Sequence, residues 1–214
     1  MRPLTPPTPA RSTYRHGDLR RALLDAGIEL AREGGPEAIV LREATRRAGV
    51  VPNAAYRHFA NRLDLLQAVR AAALSMVAMA IEAELAKLPR SRKPADHARA
   101  CLRAVGTGYL AFAQAETGLF RTAFSVPDRV DNDADPAKAG ASGMNPFQLL
   151  GDALDKMVEA GVLPPARRPG AEYLAWSAVH GLALLIIDGP MRSVPPEQTE
   201  RLAKRLLEMV EKGL

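Results

Sequence analysis

The sequence predicts an all-α fold of about nine helices, divided into a small N-terminal domain and a larger C-terminal bundle. The 214 residues are enough for one large domain or two small ones. Leu and Ala are abundant, and aromatic residues make up only 5% of the chain. Few segments alternate apolar and polar residues with the period of two that marks a strand. Apolar residues recur at helical spacing instead, which favours helices throughout.

The N-terminal domain is predicted over residues 14–60, after a proline-rich arm (residues 1–13) that is expected to be disordered. Its helices are bounded by residues that start or stop a helical turn. Asp18 can cap the first helix, and the glycine pair at 34–35 can end it. Proline loses nothing in a first helical turn, so a further helix can begin at Pro52. These signals place three short helices at about residues 18–33, 41–48 and 52–58.

The C-terminal domain is predicted over residues 61–214 as six further helices. Asn61 can cap the first of them, and Asp64 can reach back three residues in a capping box. Residues 125–144 are rich in Asp, Gly, Ser and Pro, and so long a loop in a compact domain is either mobile or functional. The helices are expected at about 61–87, 96–115, 118–124, 145–160, 169–188 and 196–212.

Charge is distributed unevenly along the chain. Residues 1–62 carry 11 Arg and no Lys against 6 Asp or Glu, a surplus of +5. Residues 63–214 carry 18 basic and 18 acidic residues and are neutral overall. The whole formal net charge therefore lies in the N-terminal third. This indicates either binding to a polyanion or an ordinary solvated basic surface.

Several signals favour a reducing, cytoplasmic setting. Cys101 is the single cysteine, so the chain cannot form an internal disulfide. Residues 1–12 lack the apolar core of a signal peptide. The most apolar run, residues 173–187, is interrupted by His180 and is shorter than the roughly 20 residues that span a bilayer. We therefore expect no membrane segment.

Residues 41–58 have the pattern of two short helices joined by a tight turn. Gly49 can adopt the positive φ that the turn needs. The small or apolar residues that can lock the two helices together are Ala44, Ala48, Val50, Ala55 and Phe59. A helix-turn-helix of this kind lays its second helix in the major groove of DNA. The candidate DNA-contacting residues are Arg42, Pro52, Asn53, Ala54, Tyr56, Arg57, His58 and Arg62.

The chemistry of these residues suits a DNA duplex. Asn53 can read an adenine edge, and the small side chain of Ala54 lets the helix approach a thymine methyl group. Tyr56 and His58 can donate hydrogen bonds to phosphates. Arg62 lies at a helix N-terminus, where phosphate binding is already favoured, and the arginine at 42 can reach a guanine or the DNA backbone. The alternative is a helical hairpin whose basic residues only face solvent.

Three motifs occur in order along this region. They are Y-R-H-G-D-L-R at residues 14–20, E-G-G-P-E-A at 33–38 and G-V-x-P-x-x-x-Y-R-H-F at 49–59. Together they resemble the DNA-binding domain of tetracycline-repressor-like (TetR) transcriptional regulators, over about residues 14–70. The resemblance implies that Arg62 stands in the place of a usual lysine, and that groove and phosphate positions are taken by Pro52, Asn53, Ala54, Tyr56 and His58.

The chain departs from the family pattern at the start of the second helix of the motif. Val51 stands where a capping Ser is common, so the start of this helix lacks a side-chain cap. Asn53 and Ala54 replace the usual small residue and Thr. The operator sequence therefore cannot be inferred from the resemblance.

In that family the C-terminal part is a helical ligand-binding and dimerisation domain, and the resemblance implies the same here. W-S-A-V-H-G at residues 176–181 is similar to the W-x-x-x-H-G form of one subgroup's (WHG-type) C-terminal domain. The helix predicted at 169–188 is apolar nearly all round and must be covered on both sides. A second copy of the chain would cover it, and so would a central position in a monomer. The homodimer interface expected from the last two helices comprises Leu182, Leu185, Ile186, Leu202, Leu206 and Val210.

A homodimer would place two recognition helices in major grooves roughly 34 Å apart. A ligand that favours another spacing would lower DNA affinity. We therefore expect a repressor controlled by a small, mainly apolar effector. His180 can orient such a ligand, or it can be a core histidine whose hydrogen bonds are satisfied. Core packing is the alternative role for every candidate wall residue of the pocket: Met76, Met79, Phe112, Phe120, Phe124, Phe147, Met157, Tyr173, Trp176 and His180.

Other function classes have less support. His97 and Cys101 are four residues apart but have no evident third metal ligand. The calcium-like run that begins at Asp131 has Pro136 where glycine is needed. We find no nucleophile elbow, phosphate-binding glycine loop or H-E-x-x-H motif, so we expect no enzyme, metal or cofactor. A helical enzyme and a DNA-binding dimer without effector control are the alternatives.

Overall fold

The computed structural model describes residues 19–89, 93–126 and 135–214. Across this part of the chain there are nine α-helices and no strand, which confirms the all-α class. The helices are α1 (Leu19–Gly34), α2 (Leu41–Arg47), α3 (Pro52–Ala55), α4 (Arg62–Ala86), α5 (Pro94–Ala115), α6 (Thr117–Ala123), α7 (Pro146–Glu159), α8 (Ala171–Ile187) and α9 (Pro196–Gly213). Short 3-10 helices occur in the links at Pro36–Ala38, Pro136–Lys138, Pro165–Arg167 and Pro190–Ser193.

Some predicted features lie outside the described residues. They are the arm over residues 1–13, the Asp18 cap, most of the motif at 14–20, and residues 127–134 of the long loop with Asp131 among them. We call α1–α3 (residues 19–59) the head and α4–α9 (residues 62–214) the bundle.

The helix ends of the head follow the glycine signals in the sequence. Gly35 (φ 70°) stands directly after α1, and Gly49 (φ 67°) forms the turn between α2 and α3. The third helix is shorter than predicted. It ends at Ala55 because the amide of His58 turns back to the carbonyl of Ala55 three residues earlier (2.9 Å). The last part of the predicted 52–58 helix is therefore a tight turn.

The start of α4 shows a cap close to the one predicted. The Asn61 side chain accepts a hydrogen bond from the amide of Asp64 (3.0 Å). The Asp64 carboxylate in turn accepts from the amide of Ala60 (3.0 Å), one residue before the position that a capping box uses. Both bonds satisfy backbone N–H groups that would otherwise lack partners at the helix entry.

α4 is the central helix of the molecule and packs against α1, α5, α6 and α7. It is the one helix of the described residues that is long and apolar enough, by length and composition, to cross a membrane. Half of the most apolar stretch of this helix is buried inside the protein. Val69, Val77 and Ile81 are fully buried on its core side. The apolar side chains of α4 therefore form part of the core of the bundle.

The head joins the bundle through a close contact between α1 and α6. A Cβ on Gly118 would lie 2.2 Å from the carbonyl oxygen of Ala31 and 2.6 Å from that of Arg32, so only glycine fits here without a shift of backbone. Next to it, Arg32 Nε donates to a carboxylate oxygen of Glu116 (2.8 Å). A displacement of α6 would therefore act directly on α1 through these contacts.

α8 is covered along one edge only. Its buried residues are Ala171, Ala175, Val179 and Ala183. Leu174 is 64% exposed and Leu185 is 43% exposed in the single chain. The alternative of a central helix buried within a monomer is therefore wrong. The other predicted interface residues are partly buried: Leu182, Ile186, Leu202, Leu206 and Val210.

The described part of the 125–144 loop is anchored to α4. Glu82 accepts hydrogen bonds from the amides of Ala141 (2.8 Å) and Ser142 (2.9 Å). Ser75 Oγ donates to the carbonyl of Ala139 (2.6 Å). The loop thereby returns to α7, whose first turn has a complete capping box at Asn145.

Candidate functional site

The helix-turn-helix is held together by the small and apolar residues that the sequence indicated. Ala44 and Ala55 are completely buried between the helices, and Phe59 is 2% exposed. Ala48 and Val50 pack against the same core from the turn. Because α3 is short, this packing fixes its direction relative to α2.

The predicted DNA-contacting residues lie mostly on the outside of this unit. Asn53, Tyr56 and Arg57 are exposed, Tyr56 by 57%. Ala54 and His58 are partly exposed. Pro52 is the first residue of α3, Arg42 is exposed in the first turn of α2, and Arg62 is exposed at the start of α4.

Arg62 has partners within the protein itself. Its Nε donates to the carbonyl of Ile39 (2.7 Å) and its Nη2 to the carbonyl of Pro36 (2.7 Å). Glu37 lies 3.4 Å from the same guanidinium. The side chain thus ties the start of α4 to the link between α1 and α2, a structural role that the sequence did not indicate.

Other arginines of the head are paired with acids. Arg47 donates two hydrogen bonds to Glu33 (2.8 and 2.6 Å) and one to Glu43 (3.1 Å), joining α1 to α2. Arg46 also binds Glu43. Hydrogen bonds from Arg46 and then Arg47 lower the pKa of Glu43 to about 2. Some arginines of the head are therefore neutralised locally, while Arg57 and the arginine at 42 are exposed.

A cavity of about 800 Å³, partly open to solvent, lies between α4, α5, α7, α8 and α9. This volume lies within the range of small-molecule sites, roughly 300–1,000 Å³. Five of the predicted pocket residues line it: Phe124, Phe147, Tyr173, Trp176 and His180. Lining residues that the sequence reasoning missed include Arg70, Tyr109, Lys138, Asn145 and Leu207.

The other five predicted pocket residues do not line the cavity. Phe120 and Met157 are packed in the hydrophobic core, at 0% and 1% exposed, and Phe112 is likewise buried. Met79 faces outward, at 46% exposed, and Met76 lies on the side of α4 that faces the head. Apolar side chains at helical spacing show which residues are packed, and they do not show which of them border a void.

A polar relay runs through the aromatic wall of the cavity. Trp176 Nε1 donates to Tyr109 Oη (3.0 Å), and Tyr109 Oη lies 2.7 Å from His180 Nδ1. The rings of Phe124 and His180 are 5.0 Å apart and edge-on. Burial raises the pKa of Tyr109 above its usual range and lowers the pKa of His180. Both side chains are therefore uncharged at neutral pH.

The described residues contain no group of three His, Cys, Asp or Glu side chains that could hold a metal ion. His97 Nε2 and Cys101 Sγ are 3.6 Å apart on α5. Burial raises the pKa of the Cys101 thiol. This pair is a contact within the bundle core.

The fold and the two sites together define a class of protein. A basic helix-turn-helix at one end and a ligand-sized cavity in the helical remainder are the parts of a DNA-binding transcriptional regulator. Residues 23–69 match the family described as bacterial regulatory proteins, tetR family. Residues 102–210, just over half of the chain, match the tetracyclin repressor-like C-terminal domain. The chain belongs to the TetR family of transcriptional regulators, and these domains indicate a regulator that is not an enzyme.

Solved structures share this fold over almost the whole chain. A protein of unknown function from Rhodococcus sp. RHA1 superposes with a TM-score of 0.73 at 24% identity, covering 95% of this chain and 99% of that one. The TetR family transcriptional regulator PfmR from Thermus thermophilus has a TM-score of 0.53 at 19% identity, covering 90% and 95%. A tetR-family regulatory protein from Rhodococcus RHA1 has a TM-score of 0.52 at 18% identity, covering 90% and 96%. The comparison with curated proteins finds no match.

Proposed function

We propose that this protein is a homodimeric, cytoplasmic repressor whose affinity for its DNA operator falls when a small, mainly apolar effector occupies the bundle cavity. The observation that carries the proposal is the cavity itself, about 800 Å³ and walled largely by aromatic and aliphatic side chains. A partly open cavity of this size leaves apolar side chains exposed to water unless a ligand covers them.

On the DNA side, the exposed turn of the head supplies the contacts. Asn53 has the amide that pairs with adenine, and Ala54 leaves room for a thymine methyl group. Tyr56, Arg57 and His58 can bind phosphates. The ion pair of Arg47 with Glu33 ties α2 to α1 within the head.

The partly open face of α8 supports the dimer. Leu174 and Leu185 are exposed on α8, and Met209 is 60% exposed on α9. An apolar face of this kind on a single chain marks an interaction surface. A second copy would cover it, and the pair would then place two heads on successive major grooves.

α6 supports a physical route from cavity to head. At its C-terminal end, Phe124 borders the cavity. In its first turn, Gly118 fits against the carbonyl groups of α1. A ligand that displaces Phe124 would move α6, and with it α1 and the recognition turn. Such a ligand lowers DNA affinity to the extent that it binds the displaced state more tightly.

A mobility-shift assay on DNA upstream of the protein's own gene tests the DNA-binding site. We expect Tyr56→Ala to weaken binding to every duplex by about tenfold while leaving the dimer intact. The matched control is Arg167→Ala, an exposed bundle residue, which should bind as the wild type does. Affinity should also fall steeply with salt, because bound phosphates release counterions. Normal binding by Tyr56→Ala would show that α3 does not face DNA.

A panel of apolar compounds in the same assay tests effector control. We expect at least one compound that binds the bundle to release the DNA. Trp176→Leu, which changes the cavity wall and leaves the head untouched, should retain DNA binding and respond differently to that compound. If every compound that binds left DNA affinity unchanged, the protein would be a DNA-binding dimer without this control.

A further inference from the structure

The relay in the cavity wall fixes where its protons lie. An indole N–H can only donate, so Tyr109 Oη accepts from Trp176. Tyr109 is 4% exposed, and its remaining hydrogen-bond partner is His180 Nδ1. If the imidazole donated to the phenol, the buried hydroxyl hydrogen would have no acceptor, which is unfavourable. Tyr109 therefore donates to His180 Nδ1.

This direction determines the tautomer of His180. With Nδ1 accepting, a neutral imidazole carries its proton on Nε2. Within the described part of the chain Nε2 has no hydrogen-bond partner, and no side-chain nitrogen or oxygen there is both buried and unsatisfied. His180 lines the cavity, so this N–H is accessible from the void.

The surroundings keep the ring uncharged. The titratable group that faces it from α5 is the Tyr109 phenol, α6 contributes the rings of Phe120 and Phe124, and α8 itself contributes Trp176. Among the described residues of the cavity wall, the charged side chains are Arg70 and Lys138. Burial lowers the pKa of His180, which favours the uncharged ring. The neutral imidazole thus offers a hydrogen-bond donor at the aromatic part of the wall.

We propose that His180 Nε2–H binds an uncharged carbonyl oxygen, as in a ketone, aldehyde, ester or lactone, on a ligand whose remaining part is apolar. This inference rests on the proposed function only in taking the cavity as the ligand site. A carboxylate would instead seek the two cations, of which Arg70 already donates from Nε to the carbonyl of Ala123 (3.1 Å). Tyr109 is a positioning residue, since it acts on the ligand through the imidazole.

The chain supplies its own reporter for this site. Trp176 is its single tryptophan and lies in the cavity wall within the relay. Its fluorescence should change when any ligand fills the void. Three probes share a phenylhexyl skeleton and differ in one group: 6-phenylhexan-2-one, hexylbenzene and 6-phenylhexanoate. Titrating the full-length protein with each gives three dissociation constants free of DNA.

We expect the wild type to bind the ketone about tenfold more tightly than the hydrocarbon, the effect of one hydrogen bond made inside a cavity. His180→Phe keeps an aromatic ring and removes the donor, so the ratio should fall to about one while hydrocarbon binding persists. Tyr109→Phe should lower the ratio in part, because both imidazole tautomers then become available. Hydrocarbon binding by each variant shows that its cavity is folded.

Three results would overturn the assignment. They are no response of Trp176 to any probe, equal affinity of the wild type for ketone and hydrocarbon, and a tightest-bound carboxylate whose preference survives His180→Phe. The mobility-shift assay with the same probes separates this inference from effector control. A ketone preference lost in His180→Phe with unchanged DNA affinity would support the carbonyl site and contradict control of DNA binding. Release of DNA by all three probes with equal affinity would support control of DNA binding and contradict the carbonyl site.

Discussion

The head and the bundle use polar side chains in opposite ways. In the head, Arg47 joins Glu33 and Glu43 at the surface, where solvent screens ion pairs and each adds little to stability. In the bundle, Tyr109 and His180 meet within an aromatic wall, and Tyr109 is only 4% exposed. Polar groups buried in this way are strongly directional and sensitive to removal.

This contrast indicates how the two regions divide the work. The head keeps its polar groups at the surface, available to phosphates and bases, and needs only a small core around Ala44 and Phe59. The bundle holds most of the apolar core and also keeps a void with a few placed polar groups. The consequences of a substitution that affects only one region should therefore be distinguishable from those of a substitution that affects both.

The largest effect is expected where the bundle serves the head through dimerisation. Leu185→Asp places a charge on the open face of α8 and should convert the dimer to monomers, as measured by analytical ultracentrifugation. Operator affinity should then fall about a hundredfold, since the second head no longer binds as part of the same molecule. Met79→Asp is the matched control, because Met79 on α4 is 46% exposed against 43% for Leu185. A wild type that is monomeric at micromolar concentration would contradict the interface.

The next effect concerns the junction between the two regions. Gly118→Ala adds a methyl group that would lie 2.2 Å from a backbone oxygen of α1, so α6 must move away. We expect a loss of about 1–3 kcal/mol in the free energy of unfolding, measured by urea denaturation. Gly151→Ala in α7 is the control. A Cβ there would lie at an ordinary 3.6 Å from its nearest neighbour, a carboxylate oxygen of Glu172. Equal stability of both variants would show that α6 does not press on the head.

The head was the more predictable of the two regions from sequence. Its turn depends on Gly49, and its core on residues a few positions from that turn, so spacing alone places them. The role of Arg62 was not predictable in this way. Its partners are the carbonyls of Ile39 and Pro36, and their direction depends on the path of the chain through the link.

The cavity was predicted only in part, because its wall joins residues from Arg70 to Val210. Large aromatic residues on apolar helices pointed to Phe124 and Trp176, which line the cavity, and to Phe120, which is packed in the core. Tyr109 was missed although a signal precedes it. Gly108 lets α5 approach the backbone of α4 at Ile81, where a Cβ would lie at 2.6 Å. A glycine within a helix is a signal of close helix packing, here of α5 against α4 directly before Tyr109.

A smaller effect should sharpen the description of the recognition turn. We expect Asn53→Ala to change the relative affinities of operator variants by about tenfold at one base pair, in the lower part of the range for a lost bidentate base contact. Affinity for unrelated duplex DNA should stay the same, because phosphate contacts are unaffected. Competition binding with single-base operator variants measures both. A uniform loss across all duplexes would instead assign Asn53 to a phosphate.

The smallest effect is expected from pH and is confined to the head. Hydrogen bonds from Arg46 and Arg47 hold the pKa of Glu43 at about 2, below its ordinary value near 4.5. A carboxyl group with a lowered folded-state pKa adds stability above its unfolded-state pKa. That stability is lost as the pH falls from about 4.5 towards 2. Thermal unfolding followed over this range should therefore show a smaller acid-induced drop in Tm for Glu43→Gln than for the wild type.

Glu208→Gln, an acid on α9 far from this network in sequence, serves as the control and should follow the wild type. An identical drop in all three proteins would show that the exposed pairs of the head add nothing measurable to its stability.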